Sequence, residues 1–354
     1  MQAPRHDASD GDGKELFGRR AERAGAVPLW TFFKEWFPGE PRSEAVGHLW
    51  RYDQLRPLLL EAADVISADA AERRVLALEN PGLPGRRTVT EALYAGLQLI
   101  VPGEIAPSHR HTAAALRFII EGRGAYTAVS GERAYMEPGD FIVTPSWTWH
   151  EHGHEGDGPT VWLDVLDVPL VRFLGTGFSE HHPQKRYPES RPPGDSRRRY
   201  GSNMAPAGYR RDPHAASPVF SYGYAAARET LVGLAANGPL DPCDGIKLEY
   251  IDPTSGGPAI PTISTFLQWL PAGFATKPYA TTAGTVCVAV EGHGRVTIGT
   301  GDRARSFDFG PRDIWAVPSW QPVQLVAQTD AVVFSASDEA AQRKLGLWRE
   351  RRDS

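Results

Sequence analysis

The sequence predicts a mainly β protein made of two copies of one small β sandwich or barrel. Three observations predict it. Short apolar runs such as "RFIIEG", "AYTAV", "GDFIVTP" and "TVWLDVLDV" alternate with Gly/Pro turns between residue 95 and about residue 174, a spacing typical of small antiparallel β folds. The chain of 354 residues carries 36 Gly and 30 Pro, which suits a fold rich in tight turns. The β pattern then returns. "VPGEIAPSHRHTAAALRFIIEGRGAYTAVSGERAYMEPGDFIVTPSW" (101–147) and "LPAGFATKPYATTAGTVCVAVEGHGRVTIGTGDRARSFDFGPRDIWAVPSW" (270–320) share Pro-Gly or Pro-x-Gly, Glu-Gly-x-Gly, Pro-x-Asp and Pro-Ser-Trp elements in one order. A duplication of that length means two copies of one domain.

Matching ends place the copies at residues 95–175 and 262–338. An N-terminal arm and helical segment fills 1–94, a linker with a helix 176–261 and a C-terminal tail 339–354. In the arm, "AVPLWTFFKEWF" and "LRPLLLEAADVISADAA" carry helix-period apolar residues, and "RRVLALENPGL" reads as a strand and a turn. Residues 1–15 are expected to be disordered. The stretch "HHPQKRYPESRPPGDSRRRYG" reads as a solvated connector, and "YAAARETLVGLAANG" as a helix stopped at Asn237-Gly238.

A formal charge of −5 gives no support to a nucleic-acid surface. The N-terminus has no apolar core of a signal peptide, and no segment is apolar enough to span a membrane. Cys243 and Cys287 have no CxxC or zinc-ribbon spacing, so a reduced cytoplasmic protein is expected.

Chemistry enters at "PSHRHTAAALRF", 107–118. In a strand, residues two apart share a face, so His109 and His111 project together and Arg110 projects away. Gly103, His109 and His111, followed by Gly139, Pro145 and His150, match the two-part cupin motif. Where that motif often has a carboxylate ligand, this chain has Ala115, leaving three histidines. In the second copy the matching positions are Tyr279, Thr281 and Val323, so the fold itself does not require the imidazoles. Three neutral imidazoles suit Zn, Fe, Cu or Ni. Without a carboxylate ligand the metal keeps its full charge, which favours an anionic chelating substrate. Arg117 shares parity with the histidines, and a buried arginine needs an anion, either a substrate or Asp164 in "VWLDVLD". His152 shares parity with His150 and can work with Asp164 in orienting substrate or moving protons. Trp147, Trp149 and Trp162 are expected in the core.

At these residues the chain resembles the gentisate 1,2-dioxygenase family, which includes salicylate and 1-hydroxy-2-naphthoate dioxygenases. The resemblance runs from "PLW" at 28–30 to about residue 338, through "ERRVLALENPGL", "LYAGLQLIVPGE", "PSHRHTAAALRFIIEGRGAYT", "GDFIVTPSWTWHEHG", "WLDVLDVPLV" and "DPTSGGPAIPTI". It implies a bicupin of two jelly-roll barrels, usually a homotetramer, with Fe(II) on His109, His111 and His150. It implies a substrate that chelates iron through its carboxylate and adjacent hydroxyl, and cleavage by O2 between the carbons bearing them; gentisate would give maleylpyruvate. Arg73 and Arg117 match substrate contacts, Tyr94, Gly96 and Gln98 match the pocket wall, and His152 and Asp164 match catalytic groups near the ring hydroxyls. Tyr94 with Gly96 resembles the gentisate-type stretch; in the salicylate type a tryptophan can stand at Tyr94. Ala113, Gly47 and Gly223-Tyr224 depart from the family pattern and leave salicylate, a substituted or amino-salicylate, or 1-hydroxy-2-naphthoate as alternative substrates. The alternative of another class is a non-catalytic cupin binding module, which would be expected to lose its ligands as the second copy has.

Overall fold

The computed structural model describes residues 10–352 apart from 203, 211, 213 and 214. The chain divides into two compact units, residues 1–42 and 43–354. In the first, Asp10–Arg23 is helical, with Leu29–Thr31 and Phe33–Trp36 as short turns of helix after it. The expected disorder of 1–15 therefore does not extend to residues 10–15, and residues 1–9 lie outside the described residues. The Glu15–Arg19 ion pair spans one helical turn, a spacing that supports a short helix. Phe17 stacks on Trp30 with ring centroids 5.9 Å apart.

The second unit holds two barrels, each made of a six-stranded and a five-stranded sheet. In the first barrel the six-stranded sheet runs, in hydrogen-bonding order, Ser221–Tyr222, Phe141–Thr144, Ala115–Glu121, Thr160–Leu166, Tyr94–Ile100, Arg74–Ala77. The facing sheet runs Ser179–His181, Ile105–His111, His150–His154, Ala125–Val129, Glu132–Tyr135. The second barrel repeats this, with His48–Trp50 and Ile246–Glu249 at the edges of its larger sheet and Glu350–Arg352 at the edge of its smaller one.

Strand alternation explains how one segment serves two environments. Leu116, Phe118 and Ile120 point out of the first barrel and join Val286, Val288, Ile314 and Phe334 in a shared core. Phe118 and Phe334 stack at 4.0 Å, so the two larger sheets pack back to back. Ile119 points inward, with Ile142 and Trp162, and Arg117 lies on that same inner face. A register shift between Val161 and Trp162 falls beyond Arg117 and leaves its parity intact.

The duplication reaches past the strands. Asp167 accepts the Ala114 N–H before the helix Val168–Phe173, and Asp338 accepts the Gly284 N–H before the helix Glu339–Lys344. After each helix a short strand pairs back onto the barrel, Ser179–His181 in one copy and Glu350–Arg352 in the other. The segment read from sequence as a C-terminal tail thus carries a helix and a strand. The connector is also ordered in part: Asp195–Tyr200 is helical, and Ser196 N and Oγ both donate to buried Glu132.

Candidate metal centre and substrate pocket

His109 and His111 lie at the end of Ile105–His111, and His150 opens the neighbouring strand with His109 as its register partner. The register shifts between Ala106 and His109, at Pro107, where the missing N–H breaks the ladder. One ligand atom from each of the three imidazoles lies within 4.8 Å of the other two. Among the described residues no other group of three such side chains comes together. His111 Nδ1 donates to the Ala113 carbonyl (2.7 Å) and His150 Nδ1 to the Thr148 carbonyl (2.9 Å), which leaves each Nε2 lone pair free for a metal. His150 Nε2 is buried with no hydrogen-bond partner.

Burial, reinforced by nearby cations, keeps these rings neutral. It lowers the pKa of His109 to about 2, with Arg73 as the next cause. His111 is lowered and His150 well lowered, in both cases chiefly by burial. Neutral imidazoles are the form that binds metals. Three of them with converging ring nitrogens fit a divalent transition ion, and Ala115 is buried and brings no carboxylate.

The remaining expected residues meet beside this centre. Asp164 is the register partner of both Arg117 and Gly96, and Leu166 and Trp162 are partners of Tyr94 and Gln98. Tyr94, Gly96, Gln98, Arg117 and Asp164 therefore share the inner face. Arg117 Nε lies 3.4 Å from Asp164 Oδ1, both side chains being buried, and Arg117 Nη1 donates to Thr144 Oγ1. Burial raises Asp164 to about 6 against the opposing pull of Arg117. His152 is held neutral by burial; its Nδ1 lies 3.0 Å from Thr127 Oγ1 and its Nε2 is buried without a partner. Arg73 Nη2 lies 2.5 Å from His109 Nδ1 and donates to the Pro107 carbonyl at 2.7 Å. Burial, then the charge of Arg117, lowers Arg73 to about 10, so it remains a cation at neutral pH. Two guanidiniums thus face one carboxylate beside a three-imidazole cluster.

A Cβ on Gly96 would come within 2.6 Å of Val75 Cγ1 and 2.7 Å of the Tyr94 hydroxyl. Glycine is what allows that hydroxyl to lie across the strand. Val75, register partner of Gln98, adds to this wall, as do Thr127 and Thr144. Sequence reading missed all three; the parity of Arg73 with Val75 was the available signal. Of the three tryptophans expected in the core, Trp162 is fully buried 5.1 Å from the His152 ring. Trp147 and Trp149 are only half-buried and flank the Arg110 guanidinium at 4.3 and 4.6 Å. The reason is that Arg110 points away from the ligands, and its charge is best held between two ring faces. Gly47 packs against Ile298 of the second barrel and Tyr224 bonds Glu291, so neither of those departures lines the pocket.

The second barrel shows the same geometry without ligands. Tyr279 pairs with Val323 as His109 pairs with His150. Its cavity of about 60 Å³ is lined by Lys247, Gln268, Tyr279, Thr281 and Cys287 among others. The Lys247 amine donates to Asp244 (3.2 Å) and Tyr279 (3.4 Å), and a lysine cation there repels a metal ion.

Fold and site together define a two-barrel cupin with one three-histidine centre suited to a transition metal. Residues 96–166 match the cupin domain model. The chain is 45% identical over 340 residues to gentisate 1,2-dioxygenase 1 of Aquipseudomonas alcaligenes, covering 96% of each chain. It is 35% identical to a 5-aminosalicylate 1,2-dioxygenase of a Comamonas species, covering 93% of this chain and 87% of that one. The crystal structure of salicylate 1,2-dioxygenase from Pseudoaminobacter salicylatoxidans with gentisate superposes with a TM-score of 0.89 at 29% identity, over 100% of this chain and 96% of that one. The chain belongs to the gentisate 1,2-dioxygenase family of ring-cleaving dioxygenases.

Proposed function

We propose that the protein cleaves gentisate with O2 between the carboxyl- and hydroxyl-bearing ring carbons, giving maleylpyruvate, with Fe(II) held by His109, His111 and His150. The observation that carries this reading is the charge of the pocket. Three neutral imidazoles without a carboxylate ligand stand beside two guanidiniums and one carboxylate, an arrangement that attracts and chelates an aromatic hydroxy acid. The ferrous ion would supply the positions on which the chelating substrate and O2 meet, with three protein ligands leaving the opposite face open.

The chain's own residues do the rest. Arg73 and Arg117 hold the substrate carboxylate and fix the ring's orientation. Tyr94, Gly96 and Gln98 form the wall against which the ring lies. His152, neutral and with a free Nε2, hydrogen-bonds a ring hydroxyl. Asp164, raised to about 6 by burial, is poised to take up or release a proton near neutral pH. Tyr94 supports gentisate over salicylate, as does the identity of 45% to a gentisate enzyme against 29% to the salicylate enzyme. A homotetramer in the cytoplasm belongs to the same proposal; the two cysteines are free and buried, in keeping with a reducing compartment.

Oxygen uptake by protein reconstituted anaerobically with Fe(II) tests the reading. Stoichiometric uptake is expected with gentisate and far less with salicylate. His109→Ala should abolish iron retention and turnover while the protein stays folded, and Thr281→Ala should leave both near normal. Uptake with salicylate alone, or activity retained in His109→Ala, would overturn the substrate or the ligand assignment respectively.

A further inference from the structure

His181 is an exposed residue on the edge strand of the first barrel and has no part in the function proposed above. Strand Ser179–His181 pairs with Ile105–His111 so that His181 is opposite His109 and Ser179 is opposite His111. Opposed residues of an antiparallel pair share a face and carry their Cβ atoms about 5 Å apart, so His181 projects on the side that bears the ligands. Its ring centroid lies 6.4 Å from that of His109. His181 is exposed, whereas His150 is buried and His109 half-buried.

The strand that carries it is firmly held. Glu180 accepts two hydrogen bonds from Arg110, at 2.9 and 2.6 Å. His182 N donates to the Ser108 carbonyl and Ser108 N to the Lys185 carbonyl, both at 2.9 Å. The adjacent His182 is occupied: its Nδ1 contacts Gln184 and its ring packs between Trp149 and Tyr187.

The second barrel supplies an internal comparison. There Arg352 is opposite Tyr279, at the position His181 holds opposite His109. Arg352 bonds Asp241 and Asp244. Where the histidines are absent, the residue at this cross-strand position is a permanent cation; where they are present, it is an imidazole able to bind a divalent ion.

We propose that His181 is an outer, transient ligand that captures the incoming divalent cation and passes it to His109 of the three-histidine centre. The inference rests on the metal-binding reading of that centre. Aqueous ions shed their waters stepwise, and an exposed imidazole replaces the first water before the ion meets the recessed ligands. The step is ligand exchange alone: water leaves, a neutral nitrogen binds, and no electron moves. A ligand used only in transit changes the rates of entry and exit together and leaves the affinity alone.

Uptake of Co(II) by the metal-free protein, followed by its visible absorption in a stopped-flow instrument, tests this. His181→Gln and His181→Ala should both slow loading several-fold. Release to a chelator should slow equally, with the dissociation constant and the thermal midpoint unchanged. Unaltered loading in both variants would overturn the proposal. So would a weakened equilibrium affinity, which makes His181 a resident ligand, or a changed KM for gentisate with normal loading, which makes it a substrate contact. His109→Ala separates the two levels of inference. If that variant binds Co(II) as tightly as the parent, the three-histidine reading fails along with this one; if it loses the ion while the His181 variants load normally, only the transit role fails.

Discussion

Arg117 and Asp164 sit opposite each other on neighbouring strands, both buried, with Thr144 as the further partner of the arginine. Each charge is tolerated in the barrel because the other is there. Removing one member of such a pair leaves the other uncompensated, which costs about 3–5 kcal/mol. Arg117→Met is therefore expected to lower the unfolding free energy in urea by that amount and to abolish turnover. Adding Asp164→Asn to it should recover most of the stability and none of the activity. If Arg117→Met alone leaves the urea midpoint unmoved, the pair is not a structural unit.

Among elements, helices Tyr52–Val65 and Tyr224–Asn237 show how the barrels are tied together. Helix Tyr52–Val65 has no side-chain cap of its own; its first N–H donates to Asp313 Oδ1 of the second barrel at 3.0 Å, and Arg51 pairs with the same carboxylate at 2.7 Å. Helix Tyr224–Asn237 is capped in the same way by Asp140 of the first barrel, at 2.9 Å from Tyr224 N. One turn on, Arg56 bonds Glu121 and Arg228 bonds Glu291, both at 2.7 Å. These glutamates and aspartates are the Glu-Gly-x-Gly and Pro-x-Asp residues of the repeat, so its turn signatures also serve as helix caps. Loss of a capping carboxylate costs about 1–2 kcal/mol. Asp313→Ala is expected to lower stability by that much, with both barrels still unfolding in one transition. A separate, earlier transition for one barrel would refute the coupling.

Over the whole molecule, the neutral histidines make the metal-free protein sensitive to acid. His109, His111, His150 and His152 all have lowered values in the fold, chiefly through burial, whereas in the unfolded chain histidine titrates near 6.5. Below that pH the unfolded chain takes up protons the fold refuses, so stability present above about 6.5 is lost as pH falls, by up to about 1.4 kcal/mol per pH unit for each ring. Asp164 and Asp338, raised to about 6 by burial, act the other way: their contribution is present at low pH and lost as pH rises through about 6. Glu132, Asp140, Glu151, Asp167 and Glu249 are raised by burial as well, but only Asp164 and Asp338 are carried as high as about 6, so between pH 7 and pH 5 the imidazoles, whose unfolded value falls inside that interval, dominate. The urea midpoint of the metal-free protein should therefore fall between pH 7 and pH 5, and a flat midpoint would contradict the buried neutral cluster.

Sequence alone determined what repeats, alternates or recurs at fixed spacing. The duplication, the paired projection of His109 and His111, the spacing that adds His150 and the absence of histidines at Tyr279, Thr281 and Val323 are local or periodic facts, set by backbone geometry two residues at a time. Parity also put Arg117 and Asp164 on the inner face. Only the tertiary structure decided which strands lie side by side, because register between distant segments is set by packing rather than by neighbours in the chain. It set Val75 across from Gln98, turned Trp147 and Trp149 outward onto Arg110, exchanged helix caps between barrels and brought the short strand bearing His181 beside His109. No local pattern marks that histidine; it lies there because a strand some seventy residues further along the chain pairs with the one that carries His109 and His111.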